Sequence, residues 1–136
     1  MEYYVNYEIA KKLKEKGFSL NKEDVEFIGC RFIFSDECTI KRISTIGAYE
    51  KGYFGENIDC PTISQVFKWL REEKKINICI DIYDDGWFFD IASFYKEDTG
   101  VYEIKLPYKS SNVTPDYDSF EHAAIAGIEY VLDNLI

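Results

Sequence analysis

INICIDIYDDGWFFDIASFY, Ile76 to Tyr95, is the stretch whose reading decides the fold. Its first half alternates strictly. Ile76, Ile78, Ile80 and Ile82 share one face, and Asn77, Cys79, Asp81 and Tyr83 share the other. A period of two is the mark of a half-buried strand. The second half, WFFDIASFY, returns as an aromatic strand, so the whole reads as a β-hairpin. Two registers keep the isoleucines on one face. A two-residue Asp85-Gly86 turn pairs Ile82 with Phe89 and sets Asp81 opposite Asp90. A four-residue loop from Tyr83 to Gly86 pairs Ile82 with Trp87 and sets Asp81 opposite Phe88. Like charges opposed across strands are destabilising, so the aspartates weigh for the second register.

The same stretch is the best candidate for acidic chemistry. Asp81, Asp84, Asp85 and Asp90 are clustered in sequence, and clustered carboxylates can hold a divalent cation or do acid–base work. The spacing is not that of an EF-hand loop, and no closing Glu follows at the right distance. The alternative is an ordinary hairpin with solvated acids, and the residue pattern favours it.

Upstream lies the strongest helical signal, PTISQVFKWLREEKK. Thr62 and Gln65 have the spacing of a capping box, and Ile63, Val66, Phe67 and Leu70 form an apolar stripe. Trp69 falls off the centre of that stripe, which leaves it available to a partner. At the N-terminus, NYEIAKKLKEKGF predicts a second helix. Asn6 caps it, Ile9, Ala10 and Leu13 face inward, and Gly17 ends it in a left-handed turn. From Val25 to Ile43 the pattern is β-like, with SDE as the turn. The last segment predicts a third helix, with Asp118 and Glu121 as its capping box. Phe120, Ala124, Gly127, Ile128, Val131 and Leu135 recur there at the helical period. VYEIKL adds a short strand, and PYKSSNVTPDYD reads as a polar loop.

These elements give the order α-β-β-α-β-β-β-α. The expected class is α+β, an antiparallel β-sheet with helices packed on one face. At 136 residues the chain fits one domain, 1–136, large enough to bury a core without staples.

Between the second strand and the middle helix, STIGAYEKGYFGENIDCP reads as a loop. Gly47, Gly52 and Gly55 break any period, and they do not follow the order of a phosphate-binding motif. The loop carries Tyr49, Tyr53 and Phe54. Aromatic residues on loops are candidate partner contacts, or a lid folded on the core.

Three segments resemble a family of small uncharacterised proteins of bacterial genomes, phages and mobile elements. They are YEIAKKLKEKGF, PTISQVFKWLREEKKINI and YDSFEHAAIAGIEYVLDNLI. The resemblance covers the three helical segments and implies a phage-like context and a cytoplasmic location. It supplies no catalytic residue.

Composition narrows the function further. The net charge is −9, which argues against direct contact with a nucleic-acid backbone, because that contact needs a net-basic face. No stretch approaches the length of a membrane helix, and the N-terminus lacks a secretory pattern, so the expectation is no membrane and a cytoplasmic setting. The four cysteines, Cys30, Cys38, Cys60 and Cys79, form no CxxC pair. His122 is the single histidine, and it lies about 200° round the helix from Phe120. No cofactor motif and no nucleophile–base pair is recognisable, which weighs against an enzyme. The expectation is a non-catalytic protein-interaction module. The alternatives are an acidic inhibitor or nucleic-acid mimic, and a metal-dependent enzyme using the acidic hairpin.

Overall fold

The computed structural model describes residues 3–20, 30–34, 40–44, 58–83, 86–96, 102–109 and 117–136. Among the described residues nine elements follow in order. They are α1 (Tyr7–Glu15), β1 (Cys30–Phe34), β2 (Ile40–Ser44), β3 (Ile58–Asp59), α2 (Ile63–Glu73), β4 (Ile76–Tyr83), β5 (Gly86–Lys96), β6 (Tyr102–Lys109) and α3 (Phe120–Asn134). The class is α+β, as the alternating and helical periods require.

The sheet differs from expectation. The described residues form two antiparallel three-stranded sheets, ordered β2-β1-β3 and β4-β5-β6. The chain divides correspondingly into two compact units, Met1–Gln65 and Val66–Ile136, with the boundary inside α2. The extra strand, β3, consists of two residues inside the expected Gly/Tyr loop. Too short to show a period, it is defined by pairing with Ile33 and Phe34 of β1.

In the first unit, α1 begins where Asn6 Oδ1 accepts the Ile9 N–H at 2.9 Å. It ends at Gly17, whose φ of +87° only glycine adopts freely. There the Gly17 N–H donates to the Lys14 carbonyl and the Phe18 N–H to the Leu13 carbonyl, closing a Schellman motif. Ile9, Ala10 and Leu13 are buried, as their spacing predicts, and α1 packs on β3. Tyr7 meets the Phe34 ring edge-on at 5.4 Å between centroids. The segment before α1 is tied down by backbone bonds from Val5 N–H to the Pro61 carbonyl and from Ile63 N–H to the Tyr3 carbonyl.

The start of α2 forms the reciprocal box that its sequence spells. The Gln65 N–H donates to Thr62 Oγ1 at 3.1 Å, and the Thr62 N–H donates to Gln65 Oε1 at 2.9 Å. Such a cap is worth about 1 kcal/mol. Ile63, Val66 and Leu70 are buried, while Phe67 is half-buried. The helix gives way to β4 through Lys75, a non-glycine residue at φ +57°.

In the second unit, β5 is the central strand. It pairs with β4 along its whole inner edge, from Ile76↔Ser93 to Tyr83↔Gly86. On its other side it pairs with β6, with a bulge that skips Lys105 between Leu106 and Ile104. Strand β6 runs on to Lys109, past the expected end, and includes Pro107. Proline is tolerated there because β6 is an edge strand. Helix α3 covers one face of this sheet, packing on β4 and β5. Gly127 permits the approach: a Cβ there would lie 3.1 Å from Ile78 Cγ2 and 3.2 Å from Phe89 Cγ. Ala123, Ala124, Ile128, Val131 and Leu132 complete the buried stripe. The cap of α3 is Ser119, not Asp118. Its hydroxyl accepts the His122 N–H at 3.1 Å, one residue later than expected.

Candidate functional site

The hairpin register settles where the acids go. Asp81 stands opposite Phe88, and Cys79 stands opposite Asp90. The isoleucine parity and the avoidance of opposed carboxylates agree, and the register with Asp81 facing Asp90 is not adopted. The ladder also includes Tyr83↔Gly86, so Gly86 belongs to β5 rather than to the bend. Asp84 and Asp85 lie outside the described residues. Asp81 is exposed, and its Oδ1 accepts the N–H of Ile82 at 2.8 Å, a local turn-like contact. Asp90 is half-buried on the central strand, with Cys79 on one side and Lys109 on the other in the register. Asp81 and Asp90 therefore share a face as diagonal neighbours. Among the described residues, no group of three or more His, Cys, Asp or Glu side chains is placed to hold a metal ion.

On the opposite face the same register builds an aromatic layer beneath α3. Phe89 is buried, with the rings of Tyr108, Tyr117 and Tyr130 at 5.7, 6.0 and 6.3 Å between centroids. Tyr108 and Tyr130 stack on each other at 4.2 Å. Tyr117 is brought in by main-chain bonds in both directions with Trp87, at 2.9 and 3.1 Å. This pairing continues the line of β6 along β5 and delivers the chain to the start of α3. Tyr117 in turn touches the exposed ring of His122 edge-on at 5.2 Å.

At the hairpin end this layer reaches the surface. Ile82 is 55% exposed, and its cross-strand partner Trp87 is half-buried. Trp87 packs at 5.9 Å, almost perpendicular, against Phe120, which is 38% exposed. The stripe of α3 thus includes Phe120 by period, yet Phe120 stays partly exposed while Ala123 and Ala124 are buried. Ile82, Trp87 and Phe120 form one apolar patch, with Tyr117 and His122 beside it.

The residues singled out in the sequence fare unequally. Tyr49, Tyr53 and Phe54 lie outside the described residues. Trp69 is half-buried, with the Lys74 ammonium 5.5 Å from its ring centre, a cation–π distance. Ile82, Tyr108, Tyr117 and Tyr130 belong to this surface and its aromatic layer, although none of them stands out as a site residue in the sequence. For Tyr108 and Tyr117 the available signal is the aromatic content of PYKSSNVTPDYDSF, an otherwise polar segment.

Cys60 and Cys79 illustrate two environments for a thiol. Cys79 is exposed and accepts a contact from Asn77 Nδ2 at 3.0 Å. Cys60 is buried, and its Sγ lies 3.8 Å from the Val5 carbonyl. Burial, with the Asp59 charge adding to it, pushes the Cys60 thiol up to about 11.

No helix among the described residues is long and apolar enough to cross a membrane. No protein-family model matches the chain, and no curated protein or solved structure is similar to it at a significant level.

Proposed function

We propose that this chain is a non-catalytic protein-interaction module and that the Ile82–Trp87–Phe120 patch is its principal contact surface. One observation carries the reading. Ile82 at 55% and Phe120 at 38% exposure flank Trp87 in contiguous contact, instead of standing as isolated surface residues. Single exposed apolar residues are ordinary, but contiguous ones mark interaction sites. Phe120 opens α3 at a position where a polar residue would serve the helix equally well. Tryptophan and other aromatics are also the residues that dominate binding energy at interfaces. The Gly/Tyr loop, with Tyr49, Tyr53 and Phe54, is proposed as a second contact region on sequence grounds alone. A cytoplasmic setting and a phage or mobile-element origin rest on the resemblance of the three helical segments.

Affinity capture from a host extract tests the proposal, using the wild-type chain, Ile82→Ser/Phe120→Ser and Tyr53→Ala/Phe54→Ala. Partners retained by wild type and lost with the serine pair support it. Retention of the same partners by both variants contradicts it.

A further inference from the structure

We infer that the Ile82–Trp87–Phe120 surface takes a basic, amphipathic protein segment, an apolar anchor flanked by Arg or Lys. The inference rests on the interaction reading above and names the chemistry of the partner. The argument is charge complementarity around an apolar centre. The second unit, Val66–Ile136, holds 7 Lys and Arg against 14 Asp and Glu, so 7 − 14 = −7 of the net −9 falls on it. Its seven cations are Lys68, Arg71, Lys74, Lys75, Lys96, Lys105 and Lys109. None lies in either segment that builds the patch, residues 76–95 of the hairpin and residues 117–136 around α3. Beside the patch those segments carry Asp118 and Glu121, which bracket Phe120 at the start of α3, while Asp81 lies on the other face of the hairpin from Ile82. Apart from His122, nothing in them can bear a positive charge.

Covering the patch brings a partner against these carboxylates. An acidic or phosphate-bearing partner meets repulsion there, which disfavours nucleic acid and anionic lipid alike. A neutral partner strips water from carboxylates without replacing it. A partner with Arg or Lys beside its anchor satisfies them, and a guanidinium can also lie over exposed aromatic rings.

The test is selection from a displayed random-peptide library with the full wild-type chain as bait. Selected peptides are then titrated against wild type, Ile82→Ser/Phe120→Ser and Asp118→Asn/Glu121→Gln. Both variants change exposed or half-exposed side chains, and thermal unfolding checks that each remains folded. The expected peptides place Arg or Lys beside an aromatic or aliphatic residue. They bind the serine pair about tenfold or more weakly, bind the neutralised pair several-fold more weakly, and lose affinity as salt rises. Peptides that need the apolar pair but carry no basic excess overturn this inference while leaving the interaction reading intact. Peptides indifferent to the serine pair, or a selection that yields none, overturn both for this surface.

Discussion

Asp81 on β4 faces Phe88 on β5, and this pairing decides what the hairpin is. A shift of β5 by two residues would oppose Asp81 and Asp90 and create a candidate cation site. The adopted register separates them and instead pairs Ile82 with Trp87 on the α3 side. One register thus both keeps Asp81 and Asp90 from direct opposition and assembles the apolar patch.

Divalent metal should therefore do little. Any ion that binds the native state raises its stability by mass action. Millimolar Mg²⁺, Mn²⁺ or Ca²⁺ is expected to leave the Tm unchanged within the error of a thermal-unfolding scan. A saturable rise in Tm that disappears in Asp81→Asn or Asp90→Asn would restore the metal site.

At Gly127, α3 lies close against Ile78 and Phe89 of its sheet. Substitution to alanine gains about 1 kcal/mol of helix propensity. It also drives a methyl into Ile78 and Phe89, and Phe89 cannot yield because its ring is held among Tyr108, Tyr117 and Tyr130. Overpacking of this kind costs about 1–3 kcal/mol, so Gly127→Ala should be net destabilising by about 1 kcal/mol in urea titration.

Lys75 pays for a left-handed backbone between α2 and β4. A side chain in that conformation costs about 1–2 kcal/mol, which glycine avoids. The Lys75 ammonium also donates to the Glu72 carbonyl at 3.0 Å, an exposed bond of small net value. Lys75→Gly should raise stability by roughly 0.5–1 kcal/mol by chemical denaturation.

Cys60 makes a pH-dependent contribution. Its folded value, about 11, exceeds the ordinary 9.0, so the native state holds the thiol proton more tightly than the unfolded chain does. Stability from this group is complete below pH 9 and declines as pH rises from about 9 towards 11. Cys60→Ala should flatten that part of the stability–pH curve. At pH 8, alkylation mapped by mass spectrometry should label Cys79 well before Cys60, because one is exposed and the other buried.

Local features were legible in the sequence because their causes are local. Asn6, Gly17 and the Thr62–Gln65 box each act within one turn, and each is found where its spacing puts it. The inward faces of α1 and the hairpin followed from period alone. Features set by distant pairing were not legible. Ile58 and Asp59 become a strand only through β1, and nothing in either hairpin states that the strands form two sheets instead of one. Tyr117 looked like part of a polar loop because its role depends on two main-chain bonds to Trp87. Phe120 fits the apolar period of α3, yet the period cannot say how much of its ring stays exposed. The candidate surface arises from those last two facts, which belong to the fold and not to any local pattern.

The hairpin register is the claim on which both the patch and the placement of Asp81 and Asp90 depend, and a single cysteine tests it. Directly opposed residues in an antiparallel pair have Cα atoms about 4.5–5.5 Å apart, within disulfide reach, whereas diagonal neighbours lie beyond it. Cys79 already stands opposite position 90. In Asp90→Cys, mild oxidation should join position 90 to Cys79, seen as one linked peptide pair by mass spectrometry and lost on reduction. Absence of that link in the folded protein, together with a link formed in Asp81→Cys/Asp90→Cys between positions 81 and 90, would contradict the register and set the two carboxylates face to face.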